Sequence, residues 1–230
     1  LTPSQAAPWN SMADIVNILS GIGKKDSPML LKLNQLPSLF FWGLRFLLNS
    51  SKSKYRSNTE NLCKLAQHSL ELTKQIREKY GFNYDHSSVG TMKIFRDESS
   101  FNKASKEVER LSDLGLTFKV LTNQEVVEQE PFLSDVSNKI SGGIIFPDDE
   151  TGDAYKFCKE LETVIREKGG RIHVNTEVKK IHFNKRKVNS VVTDRVEIKA
   201  SRVVLTSGSW TNNLLQNTRL NLPIKPVKGY

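Results

Sequence analysis

The last third of the chain, Gly169 to Tyr230, constrains the fold more than any other stretch. It begins where a helix ends, continues as a strand from Arg171 to Val174, and then becomes a strand meander. The meander closes on an apolar run that leads into the small-residue turn Thr206 to Ser209. A buried strand that runs into such a turn and then a helix brings backbone N–H groups up to a phosphate in α/β folds. The pattern therefore predicts part of an α/β nucleotide-binding fold.

Upstream of that stretch, the spacing of apolar residues alternates between that of helices and that of strands. Three short apolar runs have strand character and are predicted to form one sheet: residues 90–96, 118–121 and 140–146. Helical spacing predicts helices after Asp14, from Pro37 to Leu48, from Asn58 to Tyr80, from Phe101 to Leu114 and after Asp153. The polar segment Ser50 to Arg56 is predicted to separate two helices, and Thr122 with Glu125 has capping-box spacing.

Charge and cysteine usage exclude several classes of function. The formal net charge is +9, but Lys and Arg are interleaved with Asp and Glu along the chain. That distribution is typical of solvated helix faces, so no nucleic-acid partner is predicted. Cys63 and Cys158 belong to no C-x-x-C pair and are predicted to be free, buried thiols. No apolar run is long enough to span a membrane.

Metal-ligating residues show no pattern that predicts a metal site. The four histidines, His68, His86, His173 and His182, have no mutual ligand spacing. The carboxylate run Asp148-Asp149-Glu150 is interpreted as a solvated loop that leads to the helix N-cap Asp153.

Several short strings are more specific than these patterns. In chain order they are Gly90-Thr91 with Phe95-Arg96, Asp149-Glu150-Thr151-Gly152-Asp153, Asn175-Thr176-Glu177-Val178, Gly208-Ser209-Trp210 and Pro226-Val227-Lys228-Gly229-Tyr230. Together they resemble the FAD-dependent oxidoreductases of the D-amino-acid oxidase/glycine oxidase family, and within it the small-subunit type of bacterial D-amino acid dehydrogenase. The five-residue string 149–153 is the most distinctive of them.

The resemblance implies an α/β fold class with an α+β insertion. Part of a Rossmann-like FAD-binding domain would accompany a mixed-sheet substrate domain. Residues 1–152 would be mainly substrate domain and helical segments, 153–220 a portion of the FAD-binding domain, and 221–230 a strand returning to the substrate domain. Gly21-Ile22-Gly23 lacks the family's third glycine and is predicted to be a helix C-cap. The resemblance implies that the family's N-terminal glycine loop and its carboxylate-binding arginine lie outside this chain. The chain alone is therefore expected to be inactive.

Site residues follow from the same resemblance. FAD binding is expected at Val178 and in the turn formed by Ser207, Gly208, Ser209 and Trp210. Thr91 and Tyr230 are expected on the substrate side. No catalytic residue is predicted, since in such enzymes the flavin carries the chemistry. The residues by themselves leave plainer interpretations open: Val178 as a strand residue, Gly208 as an ordinary turn, and Trp210 as packing for the start of a helix.

The predicted function is FAD-dependent oxidative deamination of D-amino acids to 2-oxo acids and ammonia. One alternative is another amine oxidoreductase of the family, of the glycine, sarcosine or hydroxyproline type. The other is a non-enzymatic basic module that binds a membrane surface or nucleic acid. The resemblance also implies a respiratory-chain electron acceptor and a cytoplasmic enzyme, with contact to the inner face of the plasma membrane. The apolar segment Leu36 to Leu48 is the candidate docking helix, with packing into the substrate domain as its alternative.

Overall fold

The computed structural model describes residues 1–20, 36–184 and 187–226. The chain divides into two compact units, Leu1–Lys168 and Gly169–Tyr230. The stretch from residue 153 to 168, which the sequence assigns to the FAD-binding portion, makes its contacts within the first unit; its assignment to that portion stays a prediction. Tyr230 and the predicted cap Gly21-Ile22-Gly23 lie outside the described residues.

The first unit opens with helices, in chain order a 3₁₀ turn at Pro3–Gln5, α1 at Met12–Ser20, α2 at Leu36–Leu48 and α3 at Lys52–Tyr80. The prediction of a break through Arg56 is wrong, because α3 begins at Lys52. Residues 52–57 contain neither Gly nor Pro, and the Arg56 and Glu60 side chains pair one turn apart at 3.0 Å. Helix α3 ends at Gly81 in the left-handed conformation, as predicted.

Three further helices of this unit begin at side-chain caps. Helix α4, Glu98–Ser112, is capped by Asp97, whose carboxylate accepts the Ser100 N–H, so it begins earlier than the predicted Phe101. Helix α5, Asn123–Gln129, begins with the predicted capping box. A 3₁₀ stretch, Pro131–Lys139, follows it. Helix α6, Ala154–Glu167, is capped by Asp153 as predicted.

The predicted sheet of the first unit is confirmed. Strands β1 (Thr91–Phe95), β2 (Lys119–Leu121) and β3 (Gly142–Phe146) form an antiparallel sheet in the order β1-β3-β2. One core lies against α4 and consists of Val108, Leu111, Leu116, Ile144 and Phe146. A second lies against α5 and consists of Leu121, Val126 and Ile140. The central strand β3 is therefore covered on both faces, and the chain that leaves it emerges from the best-packed part of the unit.

The second unit contains the predicted meander: β4 (Val178–Asn184), β5 (Lys187–Thr193) and β6 (Glu197–Lys199) pair antiparallel in sequence order. A 3₁₀ turn, Gly208–Trp210, leads into α7, Thr211–Leu214. The strand predicted at 171–174 and the buried strand predicted just before the turn at 206–209 are wrong for this structure, since neither segment pairs with another among the described residues. A strand needs a neighbour for its backbone groups, and Val204, at 85 % exposure, faces solvent.

The two thiols differ in environment. Cys63 is fully buried inside α3, as predicted. The prediction of burial is wrong for Cys158, which is exposed on α6. That helix has the spacing of an amphipathic helix, but none of its residues is fully buried within the described part of the chain. Among the described residues, no helix combines the length and hydrophobicity needed to cross a bilayer.

Candidate functional site

The turn from Asp149 to Asp153 joins β3 to α6 and is the best-defined polar centre of the first unit. Asp148 is exposed, but Asp149 and Glu150 are only 1 % and 5 % exposed. The interpretation of this run as a solvated loop is therefore wrong for both buried residues. A carboxylate is buried only when donors or cations surround it, so its partners define the site.

Asp149 accepts three hydrogen bonds from residues in two distant parts of the chain. Its Oδ1 accepts the Ser4 backbone N–H at 3.2 Å, and its Oδ2 accepts the Ser4 hydroxyl at 2.6 Å. The same Oδ2 accepts the Thr91 hydroxyl, also at 2.6 Å. One carboxylate thus joins the N-terminal segment to the first residue of β1. Thr91, expected on the substrate side, uses its hydroxyl proton in this network.

Lys93 completes the polar side of β1, on the same strand face as Thr91. Its ammonium donates to the Ser4 carbonyl at 3.2 Å and lies 4.9 Å from the centre of the Phe146 ring. Burial lowers the pKa of Lys93 below its ordinary value, and the negative charge of Asp149 opposes that shift. The carboxylate therefore binds the N–H and hydroxyl groups of Ser4, and the ammonium binds its carbonyl.

Glu150 forms the second buried pair of the turn. Arg77 of α3 donates to its two oxygens at 2.7 and 3.3 Å, and Lys74 lies 3.8 Å away. Burial acts to raise the pKa of Glu150, but the hydrogen bonds and charge of Arg77 outweigh it, so that pKa lies below its ordinary value. The Glu150 backbone also exchanges hydrogen bonds with Leu1, at 2.7 and 2.9 Å.

The remaining residues of the turn hold the segment between α3 and β1. Thr151 exchanges two backbone hydrogen bonds of 2.9 Å with Ser87. Gly152 packs against the Tyr84 ring so closely that a Cβ would lie 2.5 Å from it, which only glycine permits. The Asp153 N–H donates to the Tyr84 carbonyl at 2.8 Å. Each residue of the string therefore contacts another element.

Sequence reasoning missed Ser4, Arg77 and Lys93 as members of this centre. The signal for Lys93 is its position, since a lysine between Met92 and Ile94 shares a strand face with Thr91. Arg77 lies in a mixed-charge helix and carries no comparable signal. Ser4 is recognisable only from its contacts.

The second unit carries the other predicted site residues. Val178 begins β4, is half-buried and pairs with Thr193. Ser207 precedes the 3₁₀ turn, and its hydroxyl lies 3.0 Å from that of Thr211. Gly208 has φ +53°, and a Cβ there would meet no atom within 4 Å among the described residues.

Trp210 and Ser209 stand exposed beside Gly208. Trp210 is 70 % exposed, so the interpretation that it packs the start of a helix is wrong for the described residues. Among the described residues, the backbone is therefore open at Gly208, with an exposed aromatic ring beside it. A phosphate that is bound by backbone N–H groups needs close approach of this kind.

A serine, a histidine and a glutamate meet on the second sheet, as they do in hydrolase triads. The His182 Nδ1 lies 3.1 Å from Glu197 and 3.4 Å from the Ser190 hydroxyl, which also donates to Glu197. A triad needs one imidazole nitrogen on the serine and the other on the carboxylate. Because both contacts use Nδ1 and Ser190 is fully buried, this cluster is not a nucleophilic site. Among the described residues, no group of His, Cys, Asp and Glu side chains is arranged to hold a metal ion.

Comparison with known proteins assigns the family. A family model described as "DAO: FAD dependent oxidoreductase" matches residues 41–230. The chain belongs to this family. Its curated relatives include proteins named D-amino acid dehydrogenase, from Vibrio vulnificus strain YJ016, 32 % identical, and from Vibrio cholerae strain M66-2, 31 % identical. Each match covers 98 % of this chain, and 54 % and 53 % of the respective relative. The chain thus spans about half the length of the curated relatives it matches.

Solved structures agree with the family assignment. Glycine oxidase from Bacillus cereus ATCC 14579 matches with a TM-score of 0.61 and 28 % identity, over 68 % of this chain and 43 % of that one. L-amino acid deaminase from Proteus myxofaciens matches with a TM-score of 0.63 and 20 % identity, over 70 % and 37 %. The second likeness shows the fold alone. The α/β fold class of the FAD-dependent oxidoreductases is confirmed, and both described sheets are antiparallel.

Proposed function

We propose that the protein to which this chain belongs is an FAD-dependent enzyme that oxidatively deaminates D-amino acids to 2-oxo acids and ammonia. The observation that carries the proposal is the match of nearly the whole chain to proteins named D-amino acid dehydrogenase. In such a reaction, bound FAD supplies the hydride acceptor for the substrate α-carbon.

The test of the reaction is a substrate panel with the intact protein and an artificial electron acceptor. We expect turnover of D-amino acids and release of ammonia, with little turnover of glycine, sarcosine or hydroxyproline. Preference for one of those three amines would favour the alternative within the family, which the likeness to a glycine oxidase supports. A protein that turns over none of these substrates would contradict both.

We also propose that the second unit holds FAD through Val178 and the turn from Ser207 to Trp210. The support is the open backbone face at Gly208, described above. Thr91 and Tyr230 are proposed for the substrate side. These residues would bind and orient the cofactor and the substrate, and positioning of this kind contributes a large part of catalysis. The chain alone is expected to bind FAD weakly, because the family's glycine loop supplies the main pyrophosphate contacts.

A matched pair of glycine variants tests the cofactor site. Gly208 and Gly81 both have positive φ, and a Cβ at either position would meet no atom of the described residues within 4 Å. Valine therefore costs a similar backbone strain at both, while only Gly208 lies in the proposed site. We expect Gly208→Val in the intact protein to lose most of its flavin absorbance and Gly81→Val to keep it. Equal flavin content in the two folded variants would make Gly208 an ordinary turn.

The proposed electron acceptor belongs to the respiratory chain, so we also propose that the cytoplasmic enzyme contacts the inner face of the plasma membrane through α2. The large apolar side chains Phe40, Phe41, Leu44, Leu47 and Leu48 are exposed on this helix, and Phe41 reaches 78 %. Residues 27–59 contain no Asp or Glu and five cations, Lys32, Arg45, Lys52, Lys54 and Arg56. Exposed aromatics beside cations fit an anionic lipid surface.

Vesicle binding tests this surface. We expect the intact protein to cosediment with vesicles containing phosphatidylglycerol and to bind pure phosphatidylcholine vesicles more weakly. Phe40→Ser with Phe41→Ser should remove most of the binding, whereas Phe132→Ser, which changes a 93 % exposed ring elsewhere, should leave it unchanged. A folded double variant that still binds would refute docking through α2. An unfolded one would show that the helix packs into the protein.

A further inference from the structure

Asp149 forms hydrogen bonds with two segments that are far apart in the sequence. Ser4 lies 145 residues before it and Thr91 58 residues before it, and both hydroxyls reach the same Oδ2 at 2.6 Å. The carboxylate is almost fully buried, so water does not compete for these hydrogen bonds. Among the described residues, Ser4 is held on its other side by the Lys93 ammonium.

Glu150 continues this attachment one residue further on. Its backbone pairs with Leu1 in both directions, while its side chain pairs with Arg77 of α3. The backbone of residues 1–5 is thus attached at two successive positions of the 149–153 turn. Residues 1–5 form only a 3₁₀ turn of three residues, so these contacts contribute to their placement.

From these contacts we propose that Asp149 is a positioning residue, which fixes the N-terminal segment Leu1–Gln5 and Thr91 relative to each other. Its consequence for catalysis rests on the proposed function, in which Thr91 is on the substrate side. Displacing Thr91 by about 1 Å would then lower turnover without removing any group that touches the reacting atoms.

The first measurement is hydrogen exchange, which does not depend on the proposed function. In Asp149→Ala, exchange at residues 2–6 should rise about ten- to hundredfold, because two hydroxyls and one amide lose a charged acceptor. Asp149→Asn keeps the shape and one acceptor oxygen, and should raise exchange there about fivefold to tenfold. Exchange in β2 and in the meander of the second unit should stay unchanged in both variants.

Asp153→Asn is the matched control. It makes the same substitution in the same five-residue string, but Asp153 caps α6, where Asn serves equally well. It should leave exchange at residues 2–6 unchanged. If Asp149→Ala does not fold, Asp149→Asn and Ser4→Ala still report on the same hydrogen bonds.

The second measurement is kcat per bound flavin in the intact protein. We expect Asp149→Asn to lower it at least about tenfold, with KM changed much less, and to keep the flavin content. A role in stability alone would lower the folded fraction but not the kcat of each flavin-loaded molecule. Unchanged hydrogen exchange at residues 2–6 would refute the positioning role of Asp149. Raised exchange with an unchanged kcat would refute its consequence for catalysis. If the unsubstituted protein carries no flavin, the proposed function fails, while the exchange measurement still decides whether Asp149 positions residues 1–5.

Discussion

The two units reach stability by different means. The first packs a three-stranded sheet between helices and joins its loops through the buried carboxylates of Asp149 and Glu150. The second contains a meander, and its only buried large apolar side chains among the described residues are Ile181 and Leu215. The Glu197 carboxylate of this unit is exposed.

The two units differ in how far apart in the sequence their contacting residues lie. In the first unit, a single turn contacts four other segments, so the loss of one side chain affects several elements at once. In the second unit, ladder hydrogen bonds between sequence neighbours supply most of the order. The same kind of substitution should therefore lower the free energy of unfolding more in the first unit than in the second.

The largest expected effect is that of Phe146→Ala. Phe146 is fully buried between β1 and α4, and its truncation leaves a cavity that should lower the free energy of unfolding by about 3–5 kcal/mol. Chemical denaturation measures the loss, and hydrogen exchange locates it in β1–β3. The exposed Phe132→Ala should change the same free energy by less than about 0.5 kcal/mol. If β4–β6 open to the same extent as β1–β3, the two units unfold as one.

A second test compares the carboxylates of the two units by pH. The pKa of Glu150 is lowered by Arg77 despite burial, and the pKa of Glu197 is lowered by hydrogen bonds from Ser190 and His182. A lowered folded-state pKa stabilises the protein above the ordinary value of 4.5, and that contribution disappears as pH falls through the folded pKa. Glu150→Gln should cost about 1–3 kcal/mol at pH 7, and this cost should decrease as the pH falls below 4.5.

Glu197 is exposed, and solvent screens its interactions. Glu197→Gln should therefore also lower the free energy of unfolding at pH 7, but this loss should depend less on pH. Unfolding free energies measured for both variants between pH 7 and pH 3 make the comparison. A larger pH dependence for Glu197→Gln than for Glu150→Gln would contradict the contrast between the units.

The smallest expected effect is in the core of the meander. Ile181→Val removes one methylene from a buried position of β4 and should cost about 0.5–1.5 kcal/mol. The same substitution at the partly exposed Ile198 of β6 serves as the control and should cost less. A cost for Ile181→Val comparable to that of Phe146→Ala would mean that the second unit is as tightly packed as the first.

The sequence predicted best where the determining interactions are local. The capping box at Thr122, the cap at Asp153 and the left-handed Gly81 were all predictable, because each depends on residues within about four positions. The three strands of the first sheet were predictable from their apolar period and flanking breakers. The sequence also carried the family assignment, which the comparisons confirm.

The wrong expectations concern exposure and strand pairing, which local patterns do not encode. Residues 171–174 and 203–206 have strand composition but no ladder partner among the described residues. Cys158 belongs to an amphipathic helix whose apolar face is only partly covered in the described unit: Phe157 contacts Phe82 and Tyr84, whereas Cys158 is exposed. Period and composition state which residues can be buried, while burial itself needs a neighbouring surface.

By itself, then, the sequence determined the order of elements, the helix caps and the family. Only the tertiary structure decided that Asp149 and Glu150 of the 149–153 string are buried. The composition of the string had indicated a solvated acidic loop. The partners of Asp149 and Glu150 lie up to 149 residues away, and no spacing rule connects positions so distant. A carboxylate is stable in the interior only when such partners converge on it, and convergence is a property of the folded chain.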